Sequence, residues 1–475
     1  MNKMNIPIKF ILNEREVETS LPAGAVTLDL IRRHHGLTGT KESCREGECG
    51  ACTILLGELK NKRVCYKAAA SCLLPIGELQ GKHVVTIEGL NSDRLTPVQQ
   101  ALVDHGAIQC GFCTPGIVLS LTGFFLSDEK LDYPGAIDAI DGNICRCTGY
   151  ISIRNAAKSL CDIFAGKIGS NRRTDDLVKL SFVPDYFLHI PGRLRALTAR
   201  LPAPEKDSET IIAAGETDLF VQKPGELLER QLDFISRYDD LAGIKEDNNH
   251  IHIGAATTVE EIKKSRLIER LFPEIEHYLG LVASKIIRSR ATVAGNIANA
   301  SPIADLTIFL LPLKSVVILS KGNKKRRVPL RHFFKGYKRL DMKKGEMITA
   351  VTFPLPGENT RFNFEKVSRR KHLDIASCNS AIRLRVEDNI ISEIHISGGG
   401  VAPIPLYLEN TCRYLTGKEP AAPNLRQAVK IMQEEIAPID DIRGAADYKR
   451  LLMRQLLFAH FLKLFPEKIK PEELL

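Results

Sequence analysis

Eight of the chain's twelve cysteines stand in two groups whose spacing suits a soft metal centre. One group lies between Gln109 and Tyr150, which opens Cys110-Gly111-Phe112-Cys113-Thr114-Pro115-Gly116 and closes Cys145-Arg146-Cys147-Thr148-Gly149. Two thiolates two residues apart and two more one residue apart converge on one centre if helices bring the pairs together. Pro115 suits the first turn of a helix, where its missing N–H costs nothing, and Ile117, Val118, Leu121, Phe124 and Phe125 then recur at helical spacing. Taken alone, four thiolates satisfy structural zinc as well as iron.

Upstream, Cys44-Arg45-Glu46-Gly47-Glu48-Cys49-Gly50-Ala51-Cys52 has the C-x4-C-x2-C spacing of a plant-type [2Fe–2S] loop, with a distant fourth cysteine still to come. Gly47 and Gly50 let the backbone wrap closely and aim amide N–H groups at sulfur. Cys65 and Cys72 compete for the fourth position. Cys72 is preferred, because Ser71-Cys72-Leu73-Leu74-Pro75 is an apolar run that can anchor a cluster from beneath, leaving Cys65 spare.

Both quartets, in this order, resemble the two [2Fe–2S] domains of the xanthine dehydrogenase and molybdenum hydroxylase family. The resemblance implies a ferredoxin-like β-grasp domain followed by a four-helix domain. It assigns Cys44, Cys49, Cys52 and Cys72 to one cluster and Cys110, Cys113, Cys145 and Cys147 to the other.

At 475 residues the chain is too long for one core and is expected to form several domains. Its N-terminus has no apolar signal core, and no apolar run approaches a membrane span, so a cytoplasmic protein without a membrane anchor is expected. Cys65, Cys161, Cys378 and Cys412 are scattered, which fits a reducing compartment rather than a disulfide framework. The net charge of +9 has its densest run at Lys321 to Arg327, between strand-like segments, and reads as a solvated hairpin turn, not a nucleic-acid surface.

The elements that must position the first loop are an alternating strand at Ile6 to Asn13, a second at Arg15 to Ser20, a helix at Leu28 to His35 and a closing strand at Val84 to Ile87. Thr96-Pro97 opens the next domain, and Ile153 to Phe164 is a helix running into the polar stretch Gly166 to Asp176. The fold expected is multidomain α+β. Residues 1–90 form the ferredoxin-like domain, 91–166 the helical one, 167–181 a linker, 182–358 an FAD-binding domain and 359–475 a C-terminal flavoprotein domain like that of CO dehydrogenase.

Ile211-Ile212-Ala213-Ala214-Gly215-Glu216-Thr217-Asp218-Leu219 is an apolar strand ending in small residues, a turn able to present amide N–H groups to phosphate. An ordinary strand-to-helix turn reads the same. Arg290 to Asp305 adds a second small-residue turn rich in Asn, Ser and Asp. Both resemble the family's FAD loops, which implies Ala214, Gly215, Glu216, Thr217, Asp218 and Leu219 at the pyrophosphate and Gly295, Asn296, Ser301 and Asp305 at the phosphates and adenosine side. Glu216 and Ala294 depart from the family pattern; a carboxylate beside a pyrophosphate must point away or pair with a base. Lys366 and Ile375 match a flavin contact and the aliphatic residue against the ring. The last helix, Lys449 to Leu464, is expected to bury Leu452, Leu456, Ala459 and Leu462.

The resemblance implies an electron-transfer subunit with no catalytic residue for substrate oxidation. It would receive electrons from a separate molybdopterin-binding large subunit in a hetero-oligomer and pass them through two [2Fe–2S] clusters and FAD to NAD, as in two-subunit xanthine dehydrogenases of purine metabolism. The chain stops at Leu475, before a molybdopterin-binding region would begin, which fits that division. An aldehyde or N-heterocycle dehydrogenase subunit, or a non-enzymatic electron-transfer flavoprotein, stands as the alternative. Leu373-Asp374 offers one carboxylate where NAD-reducing members often carry two.

Overall fold

The computed structural model describes residues 7–169, 173–197, 210–370 and 372–474. They divide into two compact units: Met1–Phe234 with Ser284–Arg290, and Ile235–Ala283 with Ala291–Leu475.

The first unit opens with β1 (Ile8–Leu12) and β2 (Arg15–Thr19), an antiparallel hairpin turned at Asn13, whose φ is 54°. A short helical turn at Thr27–Asp29 continues through Leu30–His34. β3 (Thr53–Lys60), β4 (Arg63–Ala70) and β5 (His83–Val85) complete a five-stranded sheet in the order β2-β1-β5-β3-β4. The closing strand therefore lies at the centre, parallel to β1 and antiparallel to β3, which is the β-grasp arrangement.

Four α-helices among the described residues follow: Pro97–Asp104, Thr114–Leu126, Tyr133–Ala139 and Ile151–Phe164. Thr96 and Gln99 cap the first reciprocally, with Pro97 at its start. The second is buried along its whole length from Gly116 to Leu126 and forms the centre of this core. The stretch 167–181, expected to be a linker, instead contains the helix Arg173–Lys179, and Leu177, Phe182, Val183 and Phe187 are buried in the helical core. Its charged residues, of which Arg173 donates to the Ser127 and Glu129 carbonyls, hid a sparse apolar face. β6 (Ile211–Ala213) and β7 (Leu232–Phe234) then pair in parallel. By compactness alone, residues up to Phe234 and Ser284–Arg290 fall in the first unit.

The second unit contains two main sheets. β8 (Ile244–Asp247), β9 (His250–Gly254), β10 (Val316–Lys321), β11 (Lys324–Pro329) and β14 (Met347–Pro354) assemble in the order β11-β10-β14-β9-β8, while β12 (Phe334–Gly336) and β13 (Arg339–Leu340) form a small hairpin. β15 (Thr360–Val367), β16 (Cys378–Glu387), β17 (Ile390–Gly399) and β18 (Leu406–Tyr407) form the other. The final helix spans Ala446–Leu464. Its buried residues are Lys449, Met453, Leu456, Leu457, Phe458, His460 and Phe461, so of the expected face only Leu456 is fully buried, and Leu452, Ala459 and Leu462 are partly covered. Apolar spacing does not show this face because two of its inward side chains are polar. Lys449 bonds the Ile439 carbonyl and Asp441, and His460 meets Asn363. No helix among the described residues is long and apolar enough to cross a membrane.

Candidate metal and cofactor centres

The first cysteine loop is held by its own charges and amides. Arg45, in the left-handed region at φ 56°, reaches Asp29 at 2.6 Å and Glu42 at 2.6 Å. Gly47 and Gly50 also have positive φ, at 74° and 67°. A Cβ on Gly47 would lie 2.5 Å from Leu73 and 2.6 Å from Ile287, and one on Gly50 2.4 Å from the Gly142 carbonyl, so close approach requires glycine at both. The Glu46 amide donates to Cys44 Sγ at 3.4 Å, and the Gly47 amide donates to Cys72. Cys72 is buried in the short turn Ser71–Leu73, beneath the loop, whereas Cys65 sits on β4 opposite Glu58.

The sulfurs meet in twos. All are free thiols: Cys44 hydrogen-bonds to Cys49, and Cys72 to Cys52. In the second group Cys113 bonds Cys145, and Cys147 Sγ lies 3.5 Å from Cys110 Sγ. Within a pair one proton serves two sulfurs: the Cys44 hydrogen bond pulls Cys49 down to about 6, while Cys72 is held far above its ordinary value by Cys52 and then by burial. Burial, with the Cys145 bond, pushes Cys113 up to about 12. Four thiolates brought this close repel one another, and the positive charge of a metal centre would relieve that repulsion. Among the described residues no three His, Cys, Asp or Glu side chains close on a single ion. Two sulfurs per metal atom is the division a two-iron cluster makes, so the pairing fits that group.

The second loop is braced by residues that sequence reading passed over. Cys145 Sγ lies 3.2 Å from Thr148 Oγ1, and the Cys145 amide donates to the Tyr150 hydroxyl at 2.9 Å. Asn143 donates to the Gly50 carbonyl at 3.1 Å, and the Ile144 amide donates to the Cys49 carbonyl at 3.0 Å, so the two cysteine loops are directly hydrogen-bonded. Below them Arg288, fully buried, pairs with Asp138 at 2.9 Å and Asp141 at 3.1 Å, and Lys285 reaches Glu129 at 2.6 Å. Burial pushes the Asp141 carboxyl up to about 6 against the pull of Arg288. The only sequence signal for this bracing is the cationic spacing Lys285, Arg288, Arg290.

In the same unit the turn after β6 places Gly215 and Glu216 in the left-handed region, at φ 84° and 59°. Glu216 is buried and ion-paired with Arg290, which also approaches Glu78 at 3.8 Å. The carboxylate thus turns inward onto a base. Thr217 remains half-buried and Asp218 exposed at the start of Leu219–Gln222, and Ala214 is partly open.

The other expected flavin residues lie in the second unit. The Gly295 amide donates to Thr292 Oγ1 at 3.1 Å, and Asn296 Oδ1 accepts from the Thr307 amide and hydroxyl at 3.0 and 2.8 Å. Ser301 Oγ accepts weakly from the Ile303 amide at 3.5 Å. Asp305 binds Lys366 at 2.7 Å and Asn379 at 2.5 Å, and Lys366 also reaches the Leu281 carbonyl. These groups are engaged within the protein, which leaves the Asn296 amide protons and the Ser301 hydroxyl to offer a ligand. Ile375 is 45% exposed, an aliphatic surface suited to a planar ring, next to Leu373 at φ 64°. Asp374 accepts from the Arg370 amide at 2.9 Å.

Four family models match in order. They are a 2Fe-2S iron-sulfur cluster binding domain over residues 10–76, a [2Fe-2S] binding domain over 86–158, the FAD binding domain in molybdopterin dehydrogenase over 184–356, and the CO dehydrogenase flavoprotein C-terminal domain over 363–464. The chain is 30% identical to a xanthine dehydrogenase of Emericella nidulans over 87% of its own length and 35% of that protein. It is 26% identical to aldehyde oxidase 1 of Macaca fascicularis over 96% and 39%. It therefore spans little more than a third of the curated relatives it matches. Carbon monoxide dehydrogenase from Hydrogenophaga pseudoflava, solved without the Mo-pyranopterin moiety, superposes with a TM-score of 0.52 at 26% identity, over 55% of this chain and 92% of that one. With two paired cysteine quartets, an FAD-binding domain and a flavoprotein C-terminal domain in this order, the chain belongs to the xanthine dehydrogenase and molybdenum hydroxylase family and comprises its iron–sulfur and FAD portion.

Proposed function

We propose that this chain is the electron-transfer part of a xanthine dehydrogenase, taking electrons from a molybdopterin-bearing partner in a hetero-oligomer and delivering them to NAD in the cytoplasm. When bound, two [2Fe–2S] clusters supply one-electron steps and FAD the two-electron store that links them to a hydride acceptor. The chain's own residues hold Cys52 and Cys72 buried with Cys44 and Cys49 half-buried beside them, and Cys110, Cys113, Cys145 and Cys147 at a more open place. Ala214 to Leu219, Gly295, Asn296, Ser301, Asp305, Lys366 and Ile375 are proposed to hold FAD, some directly and Asp305 through Lys366. The observation that carries the reading is the Ile144 to Cys49 hydrogen bond, which joins the residue beside Cys145 to the backbone of a first-quartet cysteine.

The test is xanthine-dependent reduction of NAD by the chain assembled with its partner. Activity with an aldehyde but not xanthine would replace the substrate while leaving the electron-transfer role. A different acceptor is the second reading, favoured by Asp374: the one carboxylate in this position is already tied to Arg370 and lies 3.8 Å from its guanidinium. Such an ion pair is worth about 1 kcal/mol or less, so NAD docking is weakened rather than forbidden. Oxidation of the reduced complex by NAD no faster than in buffer alone would decide for another acceptor.

A further inference from the structure

The chain's positive charge is not spread along it. Residues 314–346 carry twelve Lys and Arg against Asp341 and Glu346, a net charge of +10 where the whole chain has +9, which leaves −1 for everything else. This segment is β10 to β13 and the turn that follows, within the second unit. Both of its carboxylates are taken up by Arg326, at 3.1 Å from Asp341 and 2.7 Å from Glu346, and Asp341 also ties in Lys335 at 3.4 Å. The two hairpins are thereby joined at Asp341, and Lys324, Lys325, Arg327, Arg339, Lys343 and Lys344 remain exposed.

Lysines on an edge strand such as β11 guard against aggregation, but edge protection does not call for the charge on β12, β13 and the turn at Lys343. A second observation gives the surface a direction. Lys338, between β12 and β13, donates to the Asn299 carbonyl at 2.6 Å and to Asn299 Oδ1 at 2.8 Å, at the end of the helix Val293–Asn299 that carries Gly295 and Asn296. The basic surface is thus bonded to the flavin-loop helix. Tyr337 is the one large apolar side chain exposed in this segment, since Phe333 and Phe334 are buried. A membrane-surface site needs a row of apolar anchors and a single-strand nucleic-acid site a row of stacking rings. Charge without anchors suits a fast, salt-sensitive encounter with a protein of opposite charge.

We propose that the surface of residues 314–346 docks an acidic one-electron carrier protein, which takes electrons from the reduced chain. The inference rests on the electron-transfer reading above. Each carrier gains one electron and the chain's reduced centre loses one; no bond forms, and the protons of substrate oxidation go to solvent.

The experiment uses the whole chain, an acidic plant-type ferredoxin as probe, and the triple charge reversal Lys324→Glu, Lys325→Glu, Arg327→Glu, at positions exposed to water. Ferredoxin binding and stopped-flow oxidation of the dithionite-reduced chain are followed at low and high salt, with a small neutral quinone as the acceptor that needs no docking. Binding and transfer should weaken at least ~10-fold with salt and by a similar factor in the triple variant, while quinone reduction stays the same. Absence of ferredoxin binding, or binding indifferent to the reversal, would overturn the proposal. So would a variant that keeps ferredoxin binding but loses anionic vesicles or duplex DNA, which would reassign the surface. Iron and flavin are assayed in the same preparations, so that a chain lacking them overturns the electron-transfer reading independently of whether ferredoxin docks.

Discussion

The two cysteine quartets offer the same four sulfurs to the same kind of metal centre, yet their surroundings are opposite. In the first, Cys52 and Cys72 are buried and the loop is wrapped by Gly47, Gly50 and Leu73; in the second, Cys110 and Cys147 are exposed and only Cys145 is buried. Burial, amide donors and solvent access are what tune an iron–sulfur potential. Clusters held in such unlike surroundings would differ in potential although the ligand type is the same.

The largest effect expected is at the anchor of the buried site. Cys72→Ser should remove the first cluster, halving bound iron and abolishing one paramagnetic signal of the reduced protein, while Cys65→Ser on β4 should leave iron unchanged. A loss of iron in Cys65→Ser would move the fourth ligand. Next, the difference in exposure should appear as order of loss: a chelator or mild oxidant should strip the Cys110/Cys147 site severalfold faster than the other. Equal rates, followed by the two paramagnetic signals in parallel, would remove the contrast.

Bracing comes third. Arg288→Ala leaves the buried Asp141 carboxylate without its cation, while Asp138 keeps Lys285 at 3.5 Å, and breaking a buried pair costs about 3–5 kcal/mol. Denaturant unfolding of the first unit should show it. The smallest change concerns the junction of the two loops. Gly50→Ala meets the Gly142 carbonyl and a left-handed backbone, a strain of about 1–3 kcal/mol. It should perturb both signals at once, because Asn143 and Ile144 bond to that loop; a change confined to the first would show that the loops are independent.

The closeness of the sulfurs within each quartet was legible because thiol spacing is local, and the positive φ of Gly47 and Gly50 follows from close wrapping. The strands at β1, β2 and β5 were legible from alternation and the β-grasp fold from the family resemblance, while the pairing of Glu216 with a base followed from the cost of a carboxylate near phosphate. What could not be read was non-local. The Arg288–Asp141 bracing joins positions 147 residues apart, and the helix at Arg173–Lys179 owes its place to Leu177 among charged neighbours. His460 and Lys449 face inward because Asn363 and Asp441 await them, and no periodicity of apolar residues records that.

The eight paired cysteines are expected to hold two unlike [2Fe–2S] clusters, with one FAD bound by the same chain. Metal, acid-labile sulfide and flavin analysis of the purified chain, with electron paramagnetic resonance after reduction, tests it most directly. About four iron, about four sulfide and about one FAD per chain, with two distinct signals, is the result expected. A colourless protein with zinc in place of iron, or a single signal from two equivalent sites, would contradict it.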